Sequence, residues 1–303
     1  MTESPGRVLV TGASGCIGHA AVAKLAADGW DVHAASRSVV AEAPSVTWHR
    51  CDLLEPDAPR AIVTAAAPTH LLHLAWYIGP GRWASAPENL AWVRASLALF
   101  ETATDAGCRR IVGSGSCLEY DWSFGYCSET RTPLVPHTLY GSCKLATGNL
   151  LASYARVRQF SAAWARIFFL YGPHEHPDRL VPSVIRSLLA GTEARVSHGG
   201  QIRDYLYAAD VGDALVALLT SDIEGPINIG TGEPIALRDI IQSAARLIGR
   251  EELVRFGAIP AAATDAPVVV ADTKRLADLR WSPRMSLEEG LRETIDWWRR
   301  NLG

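Results

Sequence analysis

The sequence predicts an α/β fold, a doubly wound parallel sheet carrying a smaller C-terminal domain. Three observations predict it: short apolar β-forming runs alternate with helical stretches, a glycine-rich turn directly follows the first run, and the alternation loosens beyond residue 173. Parallel strands require crossover connections, and the helices in them cover both faces of the sheet. At 303 residues, 48% hydrophobic and 20% charged, the chain has the composition of one large or two modest globular domains. A net charge of −3 lacks the basic excess of a nucleic-acid surface. No apolar run reaches the roughly 18 residues of a membrane span. Met1–Arg7 has neither a basic start nor an apolar stretch, so a cytoplasmic location is expected. Six cysteines without a Cys-x-x-Cys pair or metal-ligand spacing are expected as reduced thiols, with no bound metal.

The elements follow in order. Arg7–Val10 reads as a buried parallel strand, and Thr11–Gly18 as a turn into a helix over His19–Ala27. Trp30–Ala35, Val46–Arg50, His70–Ala75 and Arg109–Gly113 read as further strands. A long helix spans Pro87–Ala106, closed by Gly107, and another spans Tyr140–Val157. Ala162–Leu170 reads as one more strand, ending at Tyr171-Gly-Pro173. The expected division is a dinucleotide-binding unit at 1–168, with a return segment near 207–230, and a mainly substrate-binding unit at 169–303.

Gly12, Gly15 and Gly18 form a Gly-x-x-Gly-x-x-Gly turn between strand and helix. The first glycine allows the tight turn, the second lets a pyrophosphate approach the backbone, and the third lets helix pack on strand. Free N–H groups at the helix start complete a phosphate site. A Rossmann-type cofactor domain is therefore expected, with Gly12, Ser14, Gly15, Cys16, Ile17 and Gly18 around the pyrophosphate. The second strand runs into Ser36-Arg37, with no carboxylate before Glu42. Arg suits a ribose 2′-phosphate where a carboxylate suits a free 2′-OH, which points to NADP, with NAD as the alternative. Asp52 stands where it can accept from the adenine amino group or cap a turn.

Tyr140-Gly-Ser-Cys-Lys144 places a phenol and an ammonium on one helix face. Only three of the 29 basic residues are lysines (24, 144 and 274), so the pair is not expected by chance. A phenol titrates near pH 10, and a nearby cation lowers that value.

Here the chain resembles the extended short-chain dehydrogenase/reductases, in their nucleotide-sugar epimerase/dehydratase branch. The motifs are Thr11–Gly18, Cys51-Asp-Leu53, His73-Leu-Ala75, Val112-Gly-Ser-Gly-Ser116 with Tyr120, and Tyr140-Gly-x-x-Lys144. They continue with Ala165–Pro173, Gly200–Tyr205, Ala209-Asp-Val211, Ile227–Gly232 and Trp281–Arg284 with Leu287–Gly290. The resemblance implies Tyr140 as acid/base, Lys144 as its ribose-binding partner and Ser116 as the catalytic hydroxyl, with Ser114 the weaker candidate. It also implies Leu53, Leu74 and Ala75 beside the cofactor, Arg203 on the substrate's phosphates, and a homodimer through the two long helices.

Departures narrow the reaction. The family's 4,6-dehydratases carry Asp-Glu after the catalytic hydroxyl, where this chain has Cys117 and Leu118. Glu119 follows, and alternation in an extended segment points it to the opposite face. The family's Asn before Tyr-Gly-Pro is Phe169, which suits a 4-epimerase less well, and Trp92 stands at another Asn position. Trp76, Tyr77 and Arg82 follow the fourth strand, where open α/β sheets bind ligands, and are expected to form part of a sugar pocket. His174-Glu-His176 lacks a third ligand at metal spacing and reads as a pocket rim. The expected function is NADPH-dependent reduction of a nucleotide-linked 4-keto sugar. A NAD-dependent 4-epimerase is the alternative, ahead of a dehydratase or a non-catalytic dinucleotide sensor.

Overall fold

A computed structural model describes residues 5–38, 45–79, 81–261 and 265–302. Its first eight strands are β1 (Arg7–Thr11), β2 (Asp31–Ser36), β3 (Val46–Arg50), β4 (His70–His73), β5 (Arg110–Ser116), β6 (Tyr126–Cys127), β7 (Ser161–Ile167) and β8 (Phe169–Tyr171). The main helices are α1 (Cys16–Ala27), α2 (Ala58–Ala66), α3 (Glu88–Asp105), α4 (Leu139–Arg158), α5 (Leu180–Leu189), α6 (Ala208–Leu219) and α7 (Leu237–Ile248). A parallel seven-stranded sheet runs in the order Gly225–Ile229, β7, β5, β4, β1, β2, β3.

Alternation along β1 divides the core. Val8 and Val10 pack with Leu25 of α1 and Leu215 of α6 on one face. Leu9 packs with Leu99 of α3 and Leu151 of α4 on the other. Every residue of β5 is buried, as a strand covered on both faces must be.

β4 ends at His73 rather than Ala75 and β5 runs on to Ser116; two further differences have clear causes. Helix α1 starts at Cys16 rather than His19, because Gly15 serves as its N-cap and Gly18 lies inside its first turn. The single strand expected over Ala162–Leu170 is two. β7 stays in the main sheet until Ile167 pairs with Ile229. Phe168 then donates its N–H to Ile229, Phe169 donates to Asp204, and β8 pairs instead with Tyr205–Tyr207. An apolar run alone does not say where it changes partners.

Beyond β8, α5, α7 and the C-terminal helix Leu287–Asn301 enclose a separate core that includes Ile185, Leu188, Ile240, Leu291 and Trp298. α6 and Gly225–Ile229 return to the main sheet, and β6 joins a small sheet with Val268–Ala271. The Gly200–Tyr205 and Ile227–Gly232 motifs meet through buried Asp204. It accepts from Thr231 N, Gly232 N and Ala271 N at 2.7, 2.9 and 3.1 Å. A Cβ at Gly230 would come within 2.7 Å of that carboxylate. Buried Asp210 accepts from Arg284 N and Met285 N, joining two other motifs.

A buried polar chain joins the end of β5 to β7 and Gly225–Ile229. Arg166 Nε meets Glu119 Oε2 at 2.7 Å, and its Nη1 donates to Tyr120, whose hydroxyl donates to Asn228. Removing one partner of such a pair strands a buried charge. Arg166→Leu is expected to lower the unfolding free energy in urea by about 3–5 kcal/mol.

Candidate active site

β1, β2 and β3 run outward in one direction, and β4, β5 and β7 in the other. The crevice lies where that order reverses, between the carboxyl ends of β1 and β4. Gly12 has φ +69°, and a Cβ there would stand 2.7 Å from Ala75 N, so the loop after β1 lies directly against the end of β4. A Cβ at Gly18 would sit 2.2 Å from Gly12 O. Exposed Gly15 differs: a Cβ would meet only Gly12 O, at 3.3 Å. The outer side of the loop is thus open at the start of α1, a cradle that fits a dinucleotide pyrophosphate.

Ser36 donates to Ser14 at 2.8 Å, fastening the end of β2 to this loop. Arg37 beside it is exposed and has no acidic partner among the described residues, and Glu42 lies outside them. Asp52 accepts from Leu54 N, the turn-capping role. Leu53 and Ala75 are buried, while Ile17 and Leu74 are half-buried against the α1 face of the core. The Cys16 thiol donates to Pro173 O at 3.1 Å, tying the loop to the segment after β8, and burial pushes its pKa up.

The second half of the centre stands on α4. Thr138 caps that helix by accepting from Gly141 N at 3.0 Å, so Tyr140 and Lys144 fall one turn apart. A Cβ at Gly141 would lie 2.4 Å from Leu118 O, so α4 packs hard on the segment after β5. That segment, Cys117–Glu119, is a 3₁₀ turn rather than the extended run expected. The cause is a capping box: Leu118 N donates to Ser116 Oγ and Ser116 N donates to Glu119 Oε1. Glu119 is fully buried and also accepts from Trp164 Nε1 and Arg166. It is occupied as a structural acceptor.

Ser116, buried at the end of β5, lies near enough to the Tyr140 phenol to pull its pKa down. Lys144 is 2% exposed, and its Nζ donates to Ser114 O at 2.7 Å and to Ser114 Oγ at 3.2 Å. Ser114 therefore serves the lysine, not the phenol. The ammonium also lies 4.1 Å from the centre of the Trp76 ring. Burial pushes Lys144 down to about 7, against the upward pull of Glu119. The expectation that Lys144 lowers the phenol's pKa is not met. Burial raises Tyr140, and the opposing pulls come from the Ser116 hydrogen bond and the Arg179 charge.

Around Tyr140, Trp83 packs edge-on at 5.0 Å and Trp76 at 6.4 Å. Half-buried Tyr77 continues the segment after β4. Arg82 stands at the exposed rim, paired with Glu88 at 2.9 Å. Arg203 is not an open phosphate clamp: it is buried, bonded to Asp265, and stacked near Trp122 and Phe169. A phosphate must compete with that carboxylate. His174 stacks on His19 at 4.1 Å and packs at a tilt against Trp297 at 4.8 Å.

The sequence assigns no role to three side chains found here. Arg179, at the start of α5, lies over Trp83 at 4.9 Å. Trp92 supports Trp76 from below at 6.3 Å. Asn89 is bonded to Trp76 and to the loop bearing Trp83. The departure from Asn at position 92 was the one available signal.

Residues 8–230 match the NAD dependent epimerase/dehydratase family. The chain belongs to this family. Its relatives include UDP-glucuronate 4-epimerase of Thermodesulfobacterium geofontis, 26% identical over 84% of this chain and 80% of that protein. dTDP-D-glucose 4,6-dehydratase of Mus musculus is 28% identical over 67% of this chain, which spans only 59% of that protein. Among solved structures, MoeE5 in complex with UDP-glucose and NAD is 30% identical, with TM-score 0.86, covering 98% of this chain and 100% of that one. UDP-glucose 4-epimerase of Thermus thermophilus with NAD is 26% identical, with TM-score 0.86, over 97% and 99% of the two chains. The relatives of this epimerase/dehydratase chain are enzymes of the extended short-chain dehydrogenase/reductase type, and their Rossmann-type sheet is the one found here.

The buried lysine gives the candidate centre a pH signature. Its folded pKa of about 7 lies below an unfolded value of about 10.4. Between the two the unfolded chain binds the extra proton, so this contribution to stability rises with pH. Relative to Lys144→Met, the chain is expected to gain about 1.5 kcal/mol of unfolding free energy from pH 7 to 8.5, read from paired urea titrations.

Proposed function

We propose that the chain is an NADP(H)-dependent oxidoreductase that reduces a keto group, at C4, of a nucleotide-linked sugar. Arg37 carries the cofactor choice: an exposed guanidinium without an acidic partner among the described residues follows Ser36, where a carboxylate would repel a 2′-phosphate. Gly12, Ser14, Gly15, Cys16, Ile17 and Gly18 hold the pyrophosphate, and Asp52, Leu53, Leu74 and Ala75 flank the adenosine and nicotinamide ends. Residues 1–168, with the return of 207–230, bind this cofactor, and the remainder of 169–303 covers the sugar nucleotide.

When bound, the reduced nicotinamide supplies the hydride. Tyr140 gives its proton to the carbonyl oxygen, because a phenol with a raised pKa is held in the donor form that reduction requires. Ser116 steadies the same oxygen as charge develops on it. Lys144, fixed by Ser114, binds the ribose and keeps its cofactor aligned with Tyr140. Dehydration lacks its groups, since Cys117 is a buried thiol with a raised pKa, Leu118 is apolar and Glu119 is engaged in the Arg166 pair. Trp76, Tyr77 and Trp83 wall the sugar, with Arg82 at the mouth and Arg203 exchanging Asp265 for a substrate phosphate. A 4-epimerase using NAD is the second reading, favoured by the NAD held in the similar MoeE5 and Thermus structures.

Mixed with NADPH and a 4-keto-6-deoxy nucleotide sugar, the protein is expected to consume NADPH. Tyr140→Phe should lower kcat by roughly 10²–10⁴-fold. Arg37→Ala should weaken NADPH binding by about 10–100-fold and leave NADH unchanged. Tightly retained NAD⁺ with no NADPH consumption sinks the reductase and leaves the epimerase.

Helices α3 and α4 expose Leu90, Leu150 and Val157 at 54, 47 and 78%. We propose that a second copy of the chain covers them. Light scattering should give twice 32.7 kDa, and a monomeric mass refutes the dimer.

A further inference from the structure

Asn89 lies in the first turn of α3 and is fully buried, yet it belongs to none of the groups that touch the reacting centre directly. Its carboxamide makes three hydrogen bonds, each of 2.8 Å. The oxygen accepts from the Trp76 indole N–H, and the nitrogen donates to the backbone oxygens of Trp83 and Ala86. One side chain thus grips both tryptophans that bracket Tyr140. The two indoles come from different places: Trp76 follows β4, and Trp83 sits in the succeeding loop. That loop also approaches α4 through its backbone, where Tyr140 N donates to Ala84 O at 3.0 Å.

The Trp76 ring does more than fill space. It is the aromatic face closest to the Lys144 ammonium, at 4.1 Å, against 5.8 Å for Tyr140 and 5.9 Å for Trp164. Trp92 supports it from behind at 6.3 Å but offers no hydrogen bond. Its indole nitrogen is therefore the only polar anchor found for the ring among the described residues, and Asn89 is that anchor's acceptor. A ring that swings away would open the lysine to water and would release one wall from the phenol.

We propose that Asn89 is a positioning residue of the catalytic centre, holding Trp76 over the Lys144 ammonium and Trp83 against the Tyr140 phenol. This goes beyond the assignment of the reaction, because it concerns how the lysine and phenol are held whatever the substrate.

The test uses the small lysine count. With only Lys24, Lys144 and Lys274 in the chain, ¹³C-lysine-labelled full-length protein gives three ε-methylene resonances, and Lys144→Arg identifies the one of interest. Its protons should lie upfield of the other two through the Trp76 ring current. Asn89→Ala should lose more than half of that displacement and move the Lys144 titration midpoint upward, leaving Lys24 and Lys274 in place. Asn89→Asp keeps an acceptor for the indole N–H and should restore the displacement. Asn89→Ser replaces the alanine variant if the latter does not fold. A Lys144 resonance that keeps its full displacement and midpoint in the alanine or serine variant overturns the proposal. These readouts need no turnover, so failure of the reductase reading stays distinguishable from failure of this one. Where a substrate is turned over, Asn89→Ala should lower kcat by about tenfold with KM within threefold, the split expected for lost transition-state alignment.

Discussion

The buried Glu119–Arg166 pair is the constraint on which the centre depends. Taking both charges out of water is expensive, and their mutual attraction repays that cost only when the remaining hydrogen-bonding sites are also filled. Here they are filled by groups that matter. Glu119 accepts from Ser116 N and Trp164 Nε1, and Arg166 reaches Tyr120 and through it Asn228. The end of β5, the strand β7 and the returning strand Gly225–Ile229 are thereby locked together. The pair also forces the 3₁₀ turn that sets Ser116 beside Tyr140. It explains two glycines of the Val112–Ser116 motif as well. A Cβ at Gly113 or Gly115 would come within 2.4 Å of the Trp164 indole that Glu119 holds.

What was legible in the sequence was local. The β1–loop–α1 unit follows from glycine spacing and an apolar run, and the structure departs from it only in where α1 begins. Tyr140 and Lys144 follow from a four-residue spacing on one helix, since a helix converts spacing into a shared face. The rest depends on partners far apart in the chain. Arg203 reads as a free cation until Asp265, 62 positions away, is found beside it. Glu119 reads as an alternating residue in an extended run until Trp164 and Arg166 claim it. The break at Phe168 is set by where Ile229 ends its pairing, which no pattern within Ala162–Leu170 encodes. Trp92 looked anomalous because its purpose, backing Trp76, involves a third segment.

The electrostatics of the centre follow from its dryness. Lys144 has its donors spent on Ser114 and its charge stacked on Trp76, and it is not among the groups that pull the Tyr140 pKa down. The phenol is left with Ser116 and the Arg179 charge as its downward pulls. A site built this way favours a neutral phenol, which is the form that gives a proton away. An enzyme that must first oxidise an alcohol needs the opposite, a base ready to take the proton. The same three residues, Ser116, Tyr140 and Lys144, can serve either direction, and the environment decides which is the easier one.

That environment is made almost wholly of aromatic side chains from the segment after β4, a region that carries Trp76, Tyr77 and Trp83 within eight residues. Rings shed water from the lysine and phenol without offering strong competing acceptors. The cost of such a dry wall is that it must be held in place, because an indole packed only by its faces can slide. The wall is therefore pinned by its own polar edge, from a helix that contributes no other group to the chemistry. Ser116 is pinned from behind in the same manner, by Glu119 on the far side of the turn. In both cases a buried polar side chain that never meets substrate sets the geometry of one that does.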